Sequence, residues 1–398
     1  MVKILRVCFR NLPVYRDRTF TVDLYASDRV MTDETIFHVY KSVYTQNILA
    51  FAGINATGKS TALRLLNLAI RTVVENISLN DLYSITSDIL VDGTEMIVTF
   101  CDEQNVYELH SYIGMKQSES EGKPQFFYTE EILKEKPLRA TVSKNSIFDF
   151  SNITGSRVTK RSELDSGMKL ILKQDDSISI LATRDNGSIV NDLLTENYVN
   201  LPPLLGETPK EVLNAFDDNI EYLRTTDDVN NGLQWRLKFK NNDHIFQTEN
   251  PTELNRILSA GTIKGHALIS RALTVLRTGG YLIIDELENH LSKEMVHMIL
   301  DLFDDPDTNP NGACLIFSTH YAEILDFIRR KDNVYITRKT DGSLSVSKLS
   351  AEFRRNDIKK SDLFLSYYLL GTVPKFRQIQ NLKETICQEI KRQRPAFH

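Results

Sequence analysis

Residues 53 to 61 read Gly53-Ile54-Asn55-Ala56-Thr57-Gly58-Lys59-Ser60-Thr61. The spacing matches the phosphate-binding P-loop, G-x-x-x-x-G-K-[ST]. The flanks agree with it. An apolar run, Ile48 to Ala52, leads in, and a helical pattern starts at Lys59, with Leu63, Leu66, Ile70, Val73 and Val74 on one stripe. Glycines let successive backbone N–H groups curl around phosphate oxygens, and the helix start adds partial positive charge. In such a loop Lys59 reaches the β- and γ-phosphates and the Ser60 hydroxyl ligates Mg²⁺. All of 53–61 is therefore assigned to nucleotide binding.

A second stretch completes the chemistry. Tyr281-Leu282-Ile283-Ile284 is a short apolar strand that runs into Asp285-Glu286. Beside a P-loop, two acids at a strand end form a metal-and-water station. Asp285 holds Mg²⁺, directly or through water, and Glu286 polarises the water that attacks the γ-phosphate. Ala313 to Phe317 is another apolar strand, and it delivers Ser318-Thr319-His320. A histidine there can sense the γ-phosphate or position water; alone, such a residue is more often a structural hydrogen-bonder. Leu258-Ser259-Ala260-Gly261-Thr262 precedes an amphipathic helix through Leu276, offering a hydroxyl, backbone N–H groups and a positive helix end. The phosphate gripped by Lys59 is already enclosed, so Ser259, Ala260 and Gly261 are expected to meet a phosphate on a second copy of the chain. Lys59, Glu286 and His320 are the catalytic candidates, Ser60 and Asp285 the Mg²⁺ ligands. His244, His266, His290 and His297 lack metal-ligand spacing, so ATP and Mg²⁺ are the only cofactors expected.

Around these motifs the 398 residues suit two or three lobes. Composition is that of an ordinary soluble domain, and a net charge of −5 advertises neither nucleic acid nor membrane. Cys8, Cys101, Cys314 and Cys387 are scattered, which points to buried, reduced thiols in a cytoplasmic protein. The amino terminus has no long apolar core of a signal peptide, and no stretch approaches the ~18 apolar residues of a membrane span. The expected class is α/β, with a mixed sheet around the P-loop. An ATPase lobe covers 1–129, opening with two strands near 4–12 and 17–26 and a hairpin of 96–101 with 105–113. Lys116 to Pro124 reads as an exposed loop, and 126–128 as one more edge strand. An inserted, mostly helical subdomain is expected over 130–232. Its clearest helix is capped by Thr208 and runs through Val212, Leu213, Phe216, Ile220 and Leu223. A second ATPase lobe spans 233–350, beginning with the alternating strand at Leu233 and continuing with parallel strands at Tyr281, Cys314 and Val334. A basic, partly helical extension follows over 351–398.

The order P-loop, Leu258 to Thr262, Tyr281 to Glu286, then Ser318-Thr319-His320 resembles the ABC-type ATPase superfamily. Ala260 departs from the common Leu-Ser-Gly-Gly signature but is small enough to keep the contact. Glu288 to Leu291 occupies the D-loop position with unusual wording. The long stretch between Lys59 and Ser259, together with the opening strands, resembles the SMC, RecF and OLD branch rather than transporter ATPases. Further phrases are similar to AAA-family ATP-binding proteins of abortive-infection and other phage-defence operons. They are Phe127-Tyr128-Thr129-Glu130-Glu131, Asp176 to Ser179, the Phe216-to-Tyr222 helix, Ser259 to Thr262, and Phe353 to Asp357 followed by Tyr368 to Gly371. The resemblance implies an ATPase that dimerises head to tail around two ATPs and gates a separate effector such as a nuclease, since no acidic cluster suited to a Toprim domain follows His320. The alternative is a RecF- or SMC-like repair clamp that binds DNA through Arg329 to Lys331, Arg354-Arg355 with Lys359-Lys360, and Lys391 to Arg394. Glu286 and His320 together discourage a scaffold without turnover.

Overall fold

The computed structural model describes the chain except residues 31–35, 118–123, 139–143, 145, 152–154, 195–205, 229–231, 355–357, 367–375 and 393–398. In chain order the strands are β1 (Lys3–Arg10), β2 (Thr19–Asp23), β3 (Ile36–Tyr40), β4 (Val43–Gln46), β5 (Ile48–Ala52), β6 (Thr94–Cys101), β7 (Asn105–Gln117), β8 (Pro124–Pro137) and β9 (Arg157–Lys160). They continue with β10 (Val190–Leu193), β11 (Gly206–Glu207), β12 (Ile220–Asp228), β13 (Gly232–Phe239), β14 (Ile245–Thr248), β15 (Tyr281–Ile284), β16 (Cys314–Thr319), β17 (Val334–Thr340) and β18 (Ser343–Lys348).

One sheet has the order β10-β15-β16-β5-β17-β18, parallel throughout except for the β17–β18 hairpin. Its central strands bury both faces, which is why they read as unbroken apolar runs. Leu49, Phe51, Ile283 and Ile316 enter one core; Ala50, Leu282, Ile284, Leu315 and Phe317 enter the other. The helix Lys59–Val74 fills the first core. Twelve of its sixteen residues are buried, more than one stripe requires, because it lies between this sheet and a second. That second sheet is antiparallel, in the order β2-β1-β6-β7-β8-β9. Helices Ala260–Thr278 and Lys293–Asp304 cover the opposite face of the parallel sheet. Each fully buried Leu, Ile or Phe contributes about 1.5–3 kcal/mol to these layers. Lys3 ties the sheets together. Its Nζ donates to the carbonyls of Gly279, Asn311 and Gly312 at 2.8, 2.8 and 2.6 Å, just before β15 and β16.

The expected opening strands, the 96–113 hairpin, the strand at Leu233 and the three parallel strands are all present. The mostly helical subdomain is not. Between 130 and 232 the described residues hold long stretches of strand and only short helices. Phe126 to Tyr128 belong to the long strand β8 and pair with β7; β9 joins β8 only at Ile132 to Glu135, so among the described strands 126–128 lie on the sheet edge, as expected. β10 joins the parallel sheet itself, beside β15. The helix expected from Thr208 to Leu223 stops at Phe216. Asp217 Oδ1 accepts the Asn219 amide at 3.0 Å, an Asx turn that breaks the helix. β12 then begins with a register shift between Ile220 and Tyr222. The shift brings Ile220 and Leu223 into one small core with Trp235 and Leu237. A bulged strand thus reproduces helical spacing. Thr208 does not cap; Pro209 occupies that position, and Thr208 Oγ1 bonds His266 Nε2 at 2.8 Å.

Strand β7 extends to Gln117 and β8 starts at Pro124, so only 118–123 of the expected loop lies outside the described residues. The core continues past position 350, where Leu363 and Phe364 are buried against it. The phrase Tyr368 to Gly371 and the end of Lys391 to Arg394 fall outside the described residues. Cys101 and Cys314 are buried, but Cys387 is exposed.

Candidate functional site

The loop 53–61 leaves β5 at the edge of the first core. Gly53 has no space for a side chain, because a Cβ there would lie 2.3 Å from Thr337 Oγ1 on the neighbouring β17. Ala56 and Gly58 take positive φ, 61° and 92°, and so turn the loop back on itself. Thr57 Oγ1 donates to the Ile54 carbonyl at 2.7 Å and lies 2.8 Å from Thr337 Oγ1, pinning the loop to β17. Lys59 Nζ spans the loop, donating to the carbonyls of Gly53 and Ile54 at 2.9 and 3.1 Å. Burial lowers its pKa, opposed by Asp285, Glu286 and Glu288. Asn55, Ala56 and Ser60 are exposed, and Ile54 and Thr61 half-buried.

A cleft of about 400 Å³ opens over the loop, lined by residues 55–61 together with Val14, Glu286, Lys339, Gly342 and Leu344. The turn between β1 and β2 reaches this cleft. The Leu344 amide donates to Val14 O at 2.8 Å, and the Arg16 amide to Leu344 O at 2.9 Å. Gly342 sits in the β17–β18 turn, where Asp341 and Gly342 have φ of 51° and 83°. That pair is the Asp-Gly hairpin signal, legible in the sequence but passed over above.

The two acids are held by Ser318. Its Oγ makes a short hydrogen bond to Asp285 Oδ1 and accepts the Glu286 amide at 2.8 Å. Asp285 N also donates to Leu193 O of β10 at 3.3 Å. Glu286 has a left-handed backbone, φ 51°, which carries it away from the strand, and it lines the cleft over the loop. Asn289 Nδ2 donates to its Oε2 at 3.1 Å. His320 follows β16. Its backbone N–H donates to Glu288 Oε1 at 2.9 Å, and its Nδ1 lies 3.0 Å from the same oxygen. Glu288 is almost fully buried. It has no counterpart in the reading of the sequence, where it was part of a D-loop with unusual wording.

Lys59, Ser60 and Glu286 therefore share one cleft, with Asp285 beside them through Ser318. His320 does not line that cleft, and neither do Ser259, Ala260 and Gly261. Ser259 caps the helix Ala260–Thr278, its Oγ accepting the Thr262 amide at 3.0 Å. It is exposed, so this helix start faces outward. Lys264, absent from the sequence reading, donates from Nζ to the carbonyls of Glu286 and Leu287 at 2.8 and 3.3 Å.

Exposed loop amides, the Ser60 hydroxyl and an adjacent pair of carboxylates make a donor set that fits a phosphate chain and a hard divalent cation. Another cleft, of about 480 Å³, is lined by Phe127, Tyr128, Arg161 and Lys169 among others. Its Arg161 is committed to Glu131 at 2.8 Å and to the carbonyl of Asp176 at 2.7 Å, so it is a poor phosphate receptor. Among the described residues no helix is long and apolar enough to cross a membrane. Neither a protein-family model nor a curated protein matches the chain.

Proposed function

We propose that this chain is a Mg²⁺-dependent ATPase of the ABC type, whose two ATP sites are completed by head-to-tail pairing of two copies. The observation that carries the reading is Glu286. It lines the same cleft as Lys59, Ser60 and the rest of the loop. Loop amides and Lys59 bind the phosphates; Ser60 and Asp285 would hold Mg²⁺, which would supply charge neutralisation at the phosphates. Glu286 accepts a proton from the attacking water at a carboxylate oxygen, while Asn289 steadies the other. The outward-facing Ser259-Ala260-Gly261 helix start supports a phosphate contact supplied from the second copy.

The paired state gates a separate effector, a nuclease or other toxin, in antiviral defence, as the phage-defence resemblance implies. The DNA-clamp reading is less favoured. Arg330 is paired with buried Asp332 at 2.8 Å, and Lys360 Nζ donates to Ile328 O at 2.6 Å, so two of its candidate cations are already committed. Glu286→Gln tests the function. It is expected to reduce ATP turnover by about 10²-fold or more and to accumulate an ATP-bound dimer, read by light scattering. A variant that stays monomeric with ATP, or hydrolyses it at the wild-type rate, contradicts the proposal.

A further inference from the structure

Two contacts join the helix Ala260–Thr278 to the segment that carries Glu286. Lys264 Nζ holds the peptide carbonyls of Glu286 and Leu287. One turn earlier Gly261 packs so closely on His290 that a Cβ would lie 2.7 Å from its carbonyl oxygen. The clamped segment is bounded by two left-handed residues, Glu286 at φ 51° and His290 at φ 61°. A left-handed backbone is strained at a non-glycine residue, so the surroundings must hold it. An ammonium on the Glu286 carbonyl is such a restraint. Burial lowers the Lys264 pKa to about 8, against the pull of Glu288, Glu286 and Asp285.

We propose that Lys264 is a positioning residue that couples the Ser259–Gly261 helix start, offered to a second copy, to the aim of Glu286 in its own copy. Engagement of the helix start at one ATP then sets the hydrolytic carboxylate at the other. The inference rests on the ATPase reading above and adds a route by which the two sites communicate.

The test compares the full-length wild type with Lys264→Met and Lys264→Arg. ATP turnover is measured over ATP concentration, and affinity with a fluorescent ATP analogue. Wild-type turnover is expected to be sigmoidal in ATP. Lys264→Met is expected to lose about tenfold or more in kcat, since a hydrogen bond from a charged donor is removed. Analogue affinity should stay within about twofold and the sigmoidal response should flatten. Lys264→Arg, which keeps a charged donor, is expected to recover most of both. Lys264→Gln replaces the Met variant should that variant not fold, with the same expected flattening. Unchanged kcat and cooperativity in an active background overturn the inference alone, as does a loss of affinity equal to the loss of kcat. A wild type that does not hydrolyse ATP overturns the ATPase reading and the inference together.

Discussion

Ser318 shows what a linear motif omits. One hydroxyl bonds the Asp285 carboxylate and the Glu286 amide, 33 and 32 residues away in number, so both acids are oriented from the strand that is their neighbour in register. Asp304 is the opposite case, a carboxylate buried at a helix C-terminus, where partial negative charge is already present. Burial raises its pKa to about 7, only partly offset by Arg329. Between about pH 4 and 7 the folded state therefore holds more protons than the unfolded one, so stability falls as pH rises through that window. Asp304→Asn removes the charge. It should be more stable than wild type by about 1–3 kcal/mol near pH 8, with the gap closing toward pH 4. Urea unfolding across that range checks this, and a gap independent of pH would contradict it.

At the scale of elements, the Ala260–Thr278 helix is the junction of the molecule. Ile263, with Leu258 just before the helix, enters the small β11–β14 core, while Leu268, Ala272 and Val275 enter the one shared with the parallel sheet. Gly265 makes the junction possible, since a Cβ there would lie 2.0 Å from the Phe216 ring. Gly265→Ala should cost about 1–3 kcal/mol through overpacking. Combined with Phe216→Ala the two costs should be less than additive, a coupling that a double-mutant cycle in urea measures. Strict additivity would mean that the two residues do not meet.

The same scale explains what the sequence disclosed. β5, β15 and β16 were legible because both their faces are buried, leaving contiguous apolar runs between polar loop residues. β12 was not, because its register shift imitates helical spacing. β10 was missed because four residues, Val190 to Leu193, carry too little pattern to stand out. The loop 53–61, Asp285 and Glu286, which the structure brings to one cleft or beside it, stood out as local strings. Ser318 and Glu288 lie inside strings that stood out, but what they hold is set by contacts with residues distant in the chain, and no local string announces Lys264.

Taken whole, the molecule places a loop, a lysine and an acid in one cleft, and leaves a capped, exposed helix start outside that cleft. On the proposed reading, a second copy supplies the helix start that completes the site. Net charge offers no guide to this, since −5 over 398 residues is unremarkable. The most direct test mixes two variants that are each inactive, Lys59→Ala and Ser259→Arg. In a head-to-tail pair formed from one of each, one site carries both lesions and the other carries neither. ATP turnover is therefore predicted to reappear on mixing and to titrate with the proportion of mixed pairs. If wild-type protein hydrolyses ATP and the mixture stays as inactive as its parts, completion of the site by a second copy is contradicted.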